Sequence, residues 1–179
     1  MTHRLLLVKE VRGEIIQREL VYNDRPLSIV DTRITCILED NRVFRLERVP
    51  PDIVLALKKL DGEDLGDDRE RLVDILISMP DVIDTLGKHL MRVVIDGLDM
   101  KTGVYTAIAE FSDGNIVIKR KMVPSHAIFL ARLTNKPIYV REDLVTQQER
   151  WYNFWFGEIE DEYMDDYMVE YEEGEYEEE

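Results

Sequence analysis

The residues whose types suit metal-assisted hydrolysis are four aspartates and one histidine: Asp52, Asp74, Asp96, Asp99 and His126. Carboxylates can hold Mg²⁺ or Mn²⁺, and an imidazole with a pKa near neutrality can transfer a proton. Their spacing, however, matches no known metal-binding signature. Acids at helix starts and turns also act as caps, and a histidine in a first helical turn can simply bond locally. Both interpretations, catalytic and structural, stay open on this pattern.

A second group consists of seven basic residues that together can hold phosphates: Arg45, Arg48, Lys58, Lys59, Lys119, Arg120 and Lys121. Successive residues of a strand point to opposite faces, so Lys119 and Lys121 should share one side while Arg120 points to the other. We predict that Arg45, Arg48, Lys119 and Lys121 are the substrate-binding residues of this patch. Scattered solvated charge is the alternative interpretation.

The cysteine and histidine content restricts the remaining chemistry. Cys36 is the single cysteine, which excludes an internal disulfide and a cysteine metal cluster within one chain. The three histidines form no HExxH or HxxxH spacing, so a zinc enzyme is disfavoured. No apolar run approaches the roughly 20 residues that cross a bilayer. These features predict a cytoplasmic protein that is neither secreted nor inserted in a membrane.

Charge separates the chain into a body and a tail. The net charge is −15, but residues 157–179 contain 13 of the 38 acidic residues and no lysine or arginine. The preceding residues therefore hold 25 acids against 23 bases, a net charge of −2. We predict a folded body at residues 1–156 and an acidic low-complexity tail at 157–179, which repels itself into an extended chain.

The tail also has an apolar pattern. Tyr163, Tyr167 and Tyr171 recur every four residues, as do Met164 and Met168. On a helix this spacing would form apolar stripes, provided that a partner surface ordered the segment. Such a tail could mimic nucleic acid, cover the basic patch of the body or bind a basic protein. A purely solubilising tail is the fourth alternative.

The stretch from residue 92 to 140 must position much of this chemistry, because it predicts a strand, a hairpin, a helix and a return strand in succession. Asp113-Gly114 lies between two apolar runs and supplies the positive φ that a tight hairpin needs. Ser125 is expected to cap the next helix, which ends before Pro137.

The residues before this stretch predict further hairpins and short helices. Gly13 separates two strand-like runs, and a second hairpin lies within residues 28–49. Pro50 and Pro51 open a helix whose apolar residues recur at helical spacing. Two more short helices follow within residues 69–87. We therefore predict one α+β domain, in which antiparallel hairpins pack with several short helices.

A resemblance to a known family is carried by two adjacent motifs. They are Pro124-Ser125-His126-Ala127-Ile128 and Pro137-Ile138-Tyr139-Val140, preceded by the segment RVVIDGLDMKTGVYTAIAEF. Together they resemble the C-terminal half of the bifunctional nuclease domain family. A weaker likeness, through LVDIL and VFRLERVPPDIVLALKKL, extends backward to about Arg33.

The resemblance implies an α+β fold, DNA or RNA as the bound partner, hydrolysis assisted by Mg or Mn, and a homodimer. It implies catalytic roles for Asp52 and Asp74, which stand at acid positions of the family, whereas His126 is a catalytic candidate through the proton-transfer chemistry of its imidazole. The family carries glycine, histidine and an acid where this chain has Val49, Val73 and His126. These replacements favour an alternative function, a non-catalytic regulatory module that keeps the fold and binds a basic protein partner with its tail.

Overall fold

The computed structural model describes residues 3–22 and 25–156 of the chain. These residues form seven strands and five helices: β1 Leu5–Tyr22, β2 Arg25–Leu38, β3 Val43–Glu47, α1 Pro51–Leu60, α2 Leu72–Ile77, α3 Pro80–His89, β4 Leu90–Asp99, β5 Val104–Ser112, β6 Val117–Met122, α4 Pro124–Leu133, β7 Ile138–Arg141 and α5 Glu142–Phe156. The predicted α+β class is confirmed. The predicted tail at 157–179 lies outside the described residues.

The chain divides into two compact units, Met1–Val145 and Thr146–Glu179. The first unit contains the whole sheet and helices α1 to α4. In the second unit, the described part of α5 has an edge-to-face contact between Trp151 and Tyr152, with ring centroids 5.3 Å apart. No helix among the described residues is long and apolar enough to span a membrane.

All seven strands of the first unit join in one sheet, in the order β3-β2-β1-β7-β4-β5-β6. The two predicted hairpins are present as the antiparallel pairs β2–β3 and β5–β6, and the pairs β1–β2 and β4–β5 are antiparallel as well. One pair, β4–β7, is parallel, from Val93 opposite Ile138 to Ile95 opposite Val140. Its partners are far apart in the chain, so no local pattern predicted it.

The sheet curls around its core. Leu6, Ile34 and Val93 are fully buried on one face of the sheet, together with Leu57 of α1 and Ile128 of α4. The ring of Phe44 on β3 meets that of Tyr105 on β5 edge to face, with centroids 5.0 Å apart. Because four strands separate β3 from β5 in the sheet, this contact requires strong curvature.

Gly13 lies inside strand β1, where it allows close packing of helix α1, and does not separate two strands. The prediction that it separates two strands is wrong, because β1 runs through it from Leu5 to Tyr22. A Cβ atom at Gly13 would lie 3.1 Å from the carbonyl oxygen of Val54 and 3.2 Å from its Cγ1. Glycine therefore lets helix α1 lie directly on strand β1.

Candidate functional site

Asp74 is the most constrained of the three predicted catalytic residues. It lies in the first turn of α2, and only 3% of its surface is exposed. Its Oδ2 accepts a hydrogen bond from the backbone N–H of Arg71 at 2.8 Å, and its Oδ1 accepts one from Lys59 Nζ at 3.3 Å. Burial raises the pKa of Asp74, but these hydrogen bonds and the charge of Lys59 outweigh it and hold the pKa below its usual value.

Asp52 and His126 occupy the first turns of α1 and α4, and both are exposed. An acid in the first turn of a helix is favoured by the helix dipole, so the position of Asp52 has a structural reason. Lys59 donates the hydrogen bond to Asp74 and lies seven residues after Asp52 in α1. At a rise of about 1.5 Å per residue, the two positions are about 10 Å apart along the axis of this helix. Asp74 is therefore attached to the opposite end of α1 from Asp52.

A divalent-metal centre needs several oxygen ligands around one point. Among residues 3–22 and 25–156, no group of three or more His, Cys, Asp or Glu side chains could hold a metal ion. Both carboxylate oxygens of Asp74 already accept hydrogen bonds within the fold. The described residues around Asp52 and Asp74 therefore do not fit such a centre. A Mg or Mn cofactor stays a prediction.

Asp96 and Asp99 have backbone roles in β4. An Asp-Gly pair is typical of a turn, but Asp96-Gly97 lies within β4, which continues to Asp99 through a register shift between Ile95 and Gly97. Asp99 ends the strand, and its Oδ1 accepts a hydrogen bond from the backbone N–H of Lys101 at 2.9 Å. This bond is the leading cause that lowers the pKa of Asp99.

The basic residues predicted in the first half of the chain do not form one free patch. Lys58 Nζ lies 2.9 Å from Glu63 Oε2, and Lys59 is bonded to Asp74. Arg45 is half-buried on β3, with its Nε fully buried. Arg48 follows β3, is exposed and has φ 54.

The basic residues of β6, by contrast, lie on an exposed edge strand. β6 is the last strand of the sheet, and Lys119, Arg120 and Lys121 are all exposed. Lys119 lies opposite Glu110 and Lys121 opposite Ile108, so both point to the sheet face away from the core. Arg120 lies opposite buried Ala109 and points to the other face. The predicted alternation is confirmed.

Glu110 on β5 and Arg92 on β4, which no sequence pattern singled out, form an ion-pair chain with Lys119 of β6. Glu110 on β5 accepts a hydrogen bond from Arg92 Nε at 2.6 Å and lies 3.2 Å from Lys119 Nζ. The hydrogen bond from Arg92, followed by that from Lys119, lowers the pKa of Glu110 despite its burial. The Arg92 guanidinium also lies 5.9 Å from the centre of the Tyr139 ring. The hairpin register was the signal that could have placed Glu110 beside Lys119.

Among the described residues, no ion pair engages Arg120 or Lys121, whereas Lys119 shares Glu110 with Arg92. In strand order, Arg45 and Lys119 stand on the two opposite edges of the sheet. The structure thus groups Lys119, Arg120 and Lys121, which we call the β6 basic strip.

The prediction that Ser125 caps α4 is wrong. Val123 occupies the N-cap position and Pro124 the first helical position, so Ser125 lies inside the first turn. Its side chain is buried, and its Oγ has no hydrogen-bond partner among the described residues. Pro124 decides this register, because proline fits the first helical position, where a missing N–H loses no bond.

The family follows from a direct comparison. Residues 68–151 match the family model described as the bifunctional nuclease domain. This part of the chain belongs to that family. Within the bifunctional nuclease domain lie Asp74, His126 and the whole β6 basic strip, whereas Asp52, Arg45 and Arg48 precede the matched range. No curated protein matches the chain.

The matched range does not include the first part of the chain, where the sequence has only a weaker resemblance to the family. The matched range begins in the loop before α2, so it covers α2 to most of α5 and excludes β1 to α1. The likeness predicted over residues 33–67 stays a prediction. The hairpin of β1 and β2 lies wholly outside the bifunctional nuclease domain.

Proposed function

We propose that this chain is a nucleic-acid-binding member of the bifunctional nuclease domain family, and that it holds the phosphate backbone along the β6 basic strip. Family membership supports a nucleic-acid-related, nuclease-like function. The proposed binding site on β6 is supported by one observation: among the described residues, Arg120 and Lys121 form no ion pair. Free cations on an exposed edge can exchange their counterions for phosphates.

The geometry of β6 suits a flexible phosphate chain. Lys119 and Lys121 are two residues apart on one face, hence about 7 Å apart at about 3.4 Å per residue. Arg120 adds a planar guanidinium on the other face, where it can bind a phosphate through two hydrogen bonds. Charges on both faces of an edge strand let a single strand wrap around that edge. The partner is therefore DNA or RNA, recognised through its backbone rather than its bases.

Binding is tested with labelled single-stranded DNA and RNA of equal length, measured by fluorescence anisotropy over a series of salt concentrations. The variant R120Q/K121Q is compared with K9Q/K88Q, which removes two exposed lysines from β1 and α3. The first variant should bind more weakly. The slope of the logarithm of its affinity against the logarithm of the salt concentration should be smaller in magnitude by about 1.4, because each lost phosphate contact contributes about 0.7. The control should behave as the unmodified chain. Equal affinities and slopes in all three proteins would contradict the proposal.

Hydrolysis is the finer part of the proposal and involves Asp52, Asp74 and His126. It is tested on the same nucleic acids with Mg²⁺, with Mn²⁺ or with a chelator. Metal-dependent cleavage that is lost in Asp52→Asn or His126→Gln, with the melting temperature preserved, supports a nuclease. Asp74→Asn is interpreted only after correction for its folded fraction, because Asp74 is part of the fold.

A second function is favoured by the hydrogen bonds of Asp74. A carboxylate whose two oxygens are occupied by Arg71 and Lys59 is poorly suited to bind a metal or a water nucleophile. We therefore also propose a non-catalytic regulatory module, in which the 13 acids of residues 157–179 bind a basic protein. Nucleic-acid binding without cleavage under any metal condition supports this second function over the nuclease.

A further inference from the structure

Helix α5 ends in a cluster of aromatic side chains, Trp151, Tyr152, Phe154 and Trp155. Their rings contact one another in series. The centroids of Tyr152 and Trp151 are 5.3 Å apart, those of Trp151 and Trp155 are 6.4 Å apart, and those of Trp155 and Phe154 are 5.4 Å apart. All three distances lie in the range of favourable ring pairs. The four side chains therefore form one continuous surface, which we call the α5 aromatic cluster.

Most of this surface is exposed. Phe154 is 80% exposed, Trp155 61% and Trp151 55%. At about 150–250 Å² per aromatic side chain, these three residues present roughly 400 Å² of apolar surface. Aromatic residues are also weaker helix formers than alanine, glutamate or lysine, so helix stability does not explain their presence here. A contiguous apolar patch of this size marks a contact with another macromolecule.

The charge near the cluster restricts the kind of partner. Glu149 and Arg150 precede the cluster with opposite charges, whereas residues 157–179 follow it with 13 acids and no lysine or arginine. Four of these acids lie within residues 158–162. At no more than about 3.6 Å per residue, all four lie within about 25 Å of Trp155. Such a concentration of negative charge repels nucleic acid and anionic lipid, and it attracts a basic surface.

We propose that the α5 aromatic cluster is the docking surface for a basic amphipathic segment of another protein. The apolar side chains of that segment cover the rings, and its lysines and arginines pair with the acids that follow the cluster. Arginine can in addition stack on the faces of tryptophan rings. Tryptophan and tyrosine are enriched among the residues that dominate binding energy in protein interfaces.

This inference rests on the second proposed function, in which the acids of residues 157–179 bind a basic protein. It adds the place and the apolar part of that contact. Tyr152, Phe154 and Trp155 lie beyond the matched family range, which ends at residue 151. The cluster is therefore an addition to the part of the chain that matches the family.

The rings and the acids should contribute to different rate constants. Exposed charges increase the association rate by attracting the partner, and salt reduces this effect. Desolvated aromatic contacts instead slow dissociation, since most effects of interface substitutions appear in the dissociation rate. Removal of the rings should therefore accelerate dissociation, whereas added salt should mainly slow association.

The chain contains a built-in reporter for this surface, because Trp151 and Trp155 are its two tryptophans. The probe is a synthetic amphipathic peptide of leucine, lysine and arginine, with about 20 residues and hence a length of about 30 Å as a helix. It should bind the full chain and move the tryptophan emission to shorter wavelength, because it removes water from the indole rings. A peptide with glutamate in place of lysine and arginine should not bind. A peptide with serine in place of leucine should bind more weakly and leave the emission unchanged.

The affinity of the labelled basic peptide is then measured by fluorescence anisotropy and stopped flow. The variant F154A/W155A is compared with V104A/I116A, which removes exposed apolar side chains elsewhere. The cluster variant should bind at least about tenfold more weakly, through faster dissociation. The control should bind as the unmodified chain does. The single variant F154A keeps both tryptophans and should show a smaller emission shift, which remains measurable even where the double variant folds poorly.

The outcomes separate this inference from the second proposed function. Equal affinity of the basic peptide for all variants, with unchanged tryptophan emission, overturns the docking surface and leaves binding by the acids intact. Absence of binding to the unmodified chain overturns both. Equal binding of the acidic and basic peptides contradicts the inferred charge preference. An emission shift caused by single-stranded DNA or by lipid vesicles, but not by the basic peptide, also overturns the proposal.

Discussion

Lys59 Nζ lies 3.3 Å from Oδ1 of Asp74, and this contact joins the last turn of α1 to the first turn of α2. The Asp74 side chain is almost completely buried, whereas that of Lys59 is half exposed. Arg71 contributes a second ion pair, with its NH1 3.5 Å from Asp74 Oδ2. A six-residue helix has little stability of its own, so these contacts hold α2 on the body.

The substitution Asp74→Ala should lower the free energy of unfolding by roughly 1–2 kcal/mol, because it removes the acceptor of the Arg71 N–H hydrogen bond and the carboxylate partner of Lys59 and Arg71, which are both partly exposed. Urea unfolding followed by circular dichroism measures this change. Asp81→Ala is the matched control, since Asp81 is also an acid in a first helical turn but is exposed. It should cost less than about 1 kcal/mol. Equal costs at both positions would show that the ion pairs of Asp74 contribute little.

Acid should destabilise the fold through Glu110. The hydrogen bond from Arg92 holds its folded-state pKa below the value of about 4.3 in an unfolded chain. As pH falls below about 4.3, the unfolded chain takes up the proton first, so the stabilisation present at neutral pH is progressively lost. Melting temperatures between neutral pH and about pH 3 measure this loss. Glu110→Gln should melt lower at neutral pH and lose less on acidification, whereas parallel pH profiles of the two proteins would disprove the assignment.

The close approach of α1 to β1 makes Gly13 sensitive to an added methyl group. Gly13→Ala should cost about 1–3 kcal/mol, because the new Cβ would crowd the carbonyl oxygen of Val54 at 3.1 Å. Gly87→Ala, inside α3, should instead stabilise by roughly 0.5–1 kcal/mol, since its Cβ would have only ordinary contacts from 3.7 Å. Thermal unfolding of the two variants distinguishes these opposite signs. A neutral Gly13→Ala would mean that the helix can move away from the strand.

Cys36 should be inert in the native protein. Burial raises the pKa of its thiol to about 12, so the reactive thiolate is about one part in ten thousand at about pH 8. An aromatic disulfide reagent should therefore react only after urea unfolding, and then with one thiol per chain. The variant Ile116→Cys, at an exposed position, should release one equivalent at once in the native state. Rapid native reaction of the unmodified chain would show that the β2 core opens readily.

Local sequence patterns determined most of the elements. Alternation and an Asp-Gly turn predicted the β5–β6 hairpin, and Gly114 indeed has a positive φ of 98. Proline at the start and an apolar stripe predicted α1. The same alternation determined that Lys119 and Lys121 share one face of β6. These features depend on backbone preferences and on neighbours within a few residues, so the sequence alone is sufficient for them.

Only the tertiary structure decided what the polar residues do. Asp74 resembled a catalytic acid until Lys59 and the N–H of Arg71 were found on its two oxygens. Gly13 resembled a strand boundary until α1 was found against it. Contacts between distant segments also pair β4 with β7. Burial and ion pairing set the ionisation and availability of a side chain, and both arise only when the strands and helices pack together.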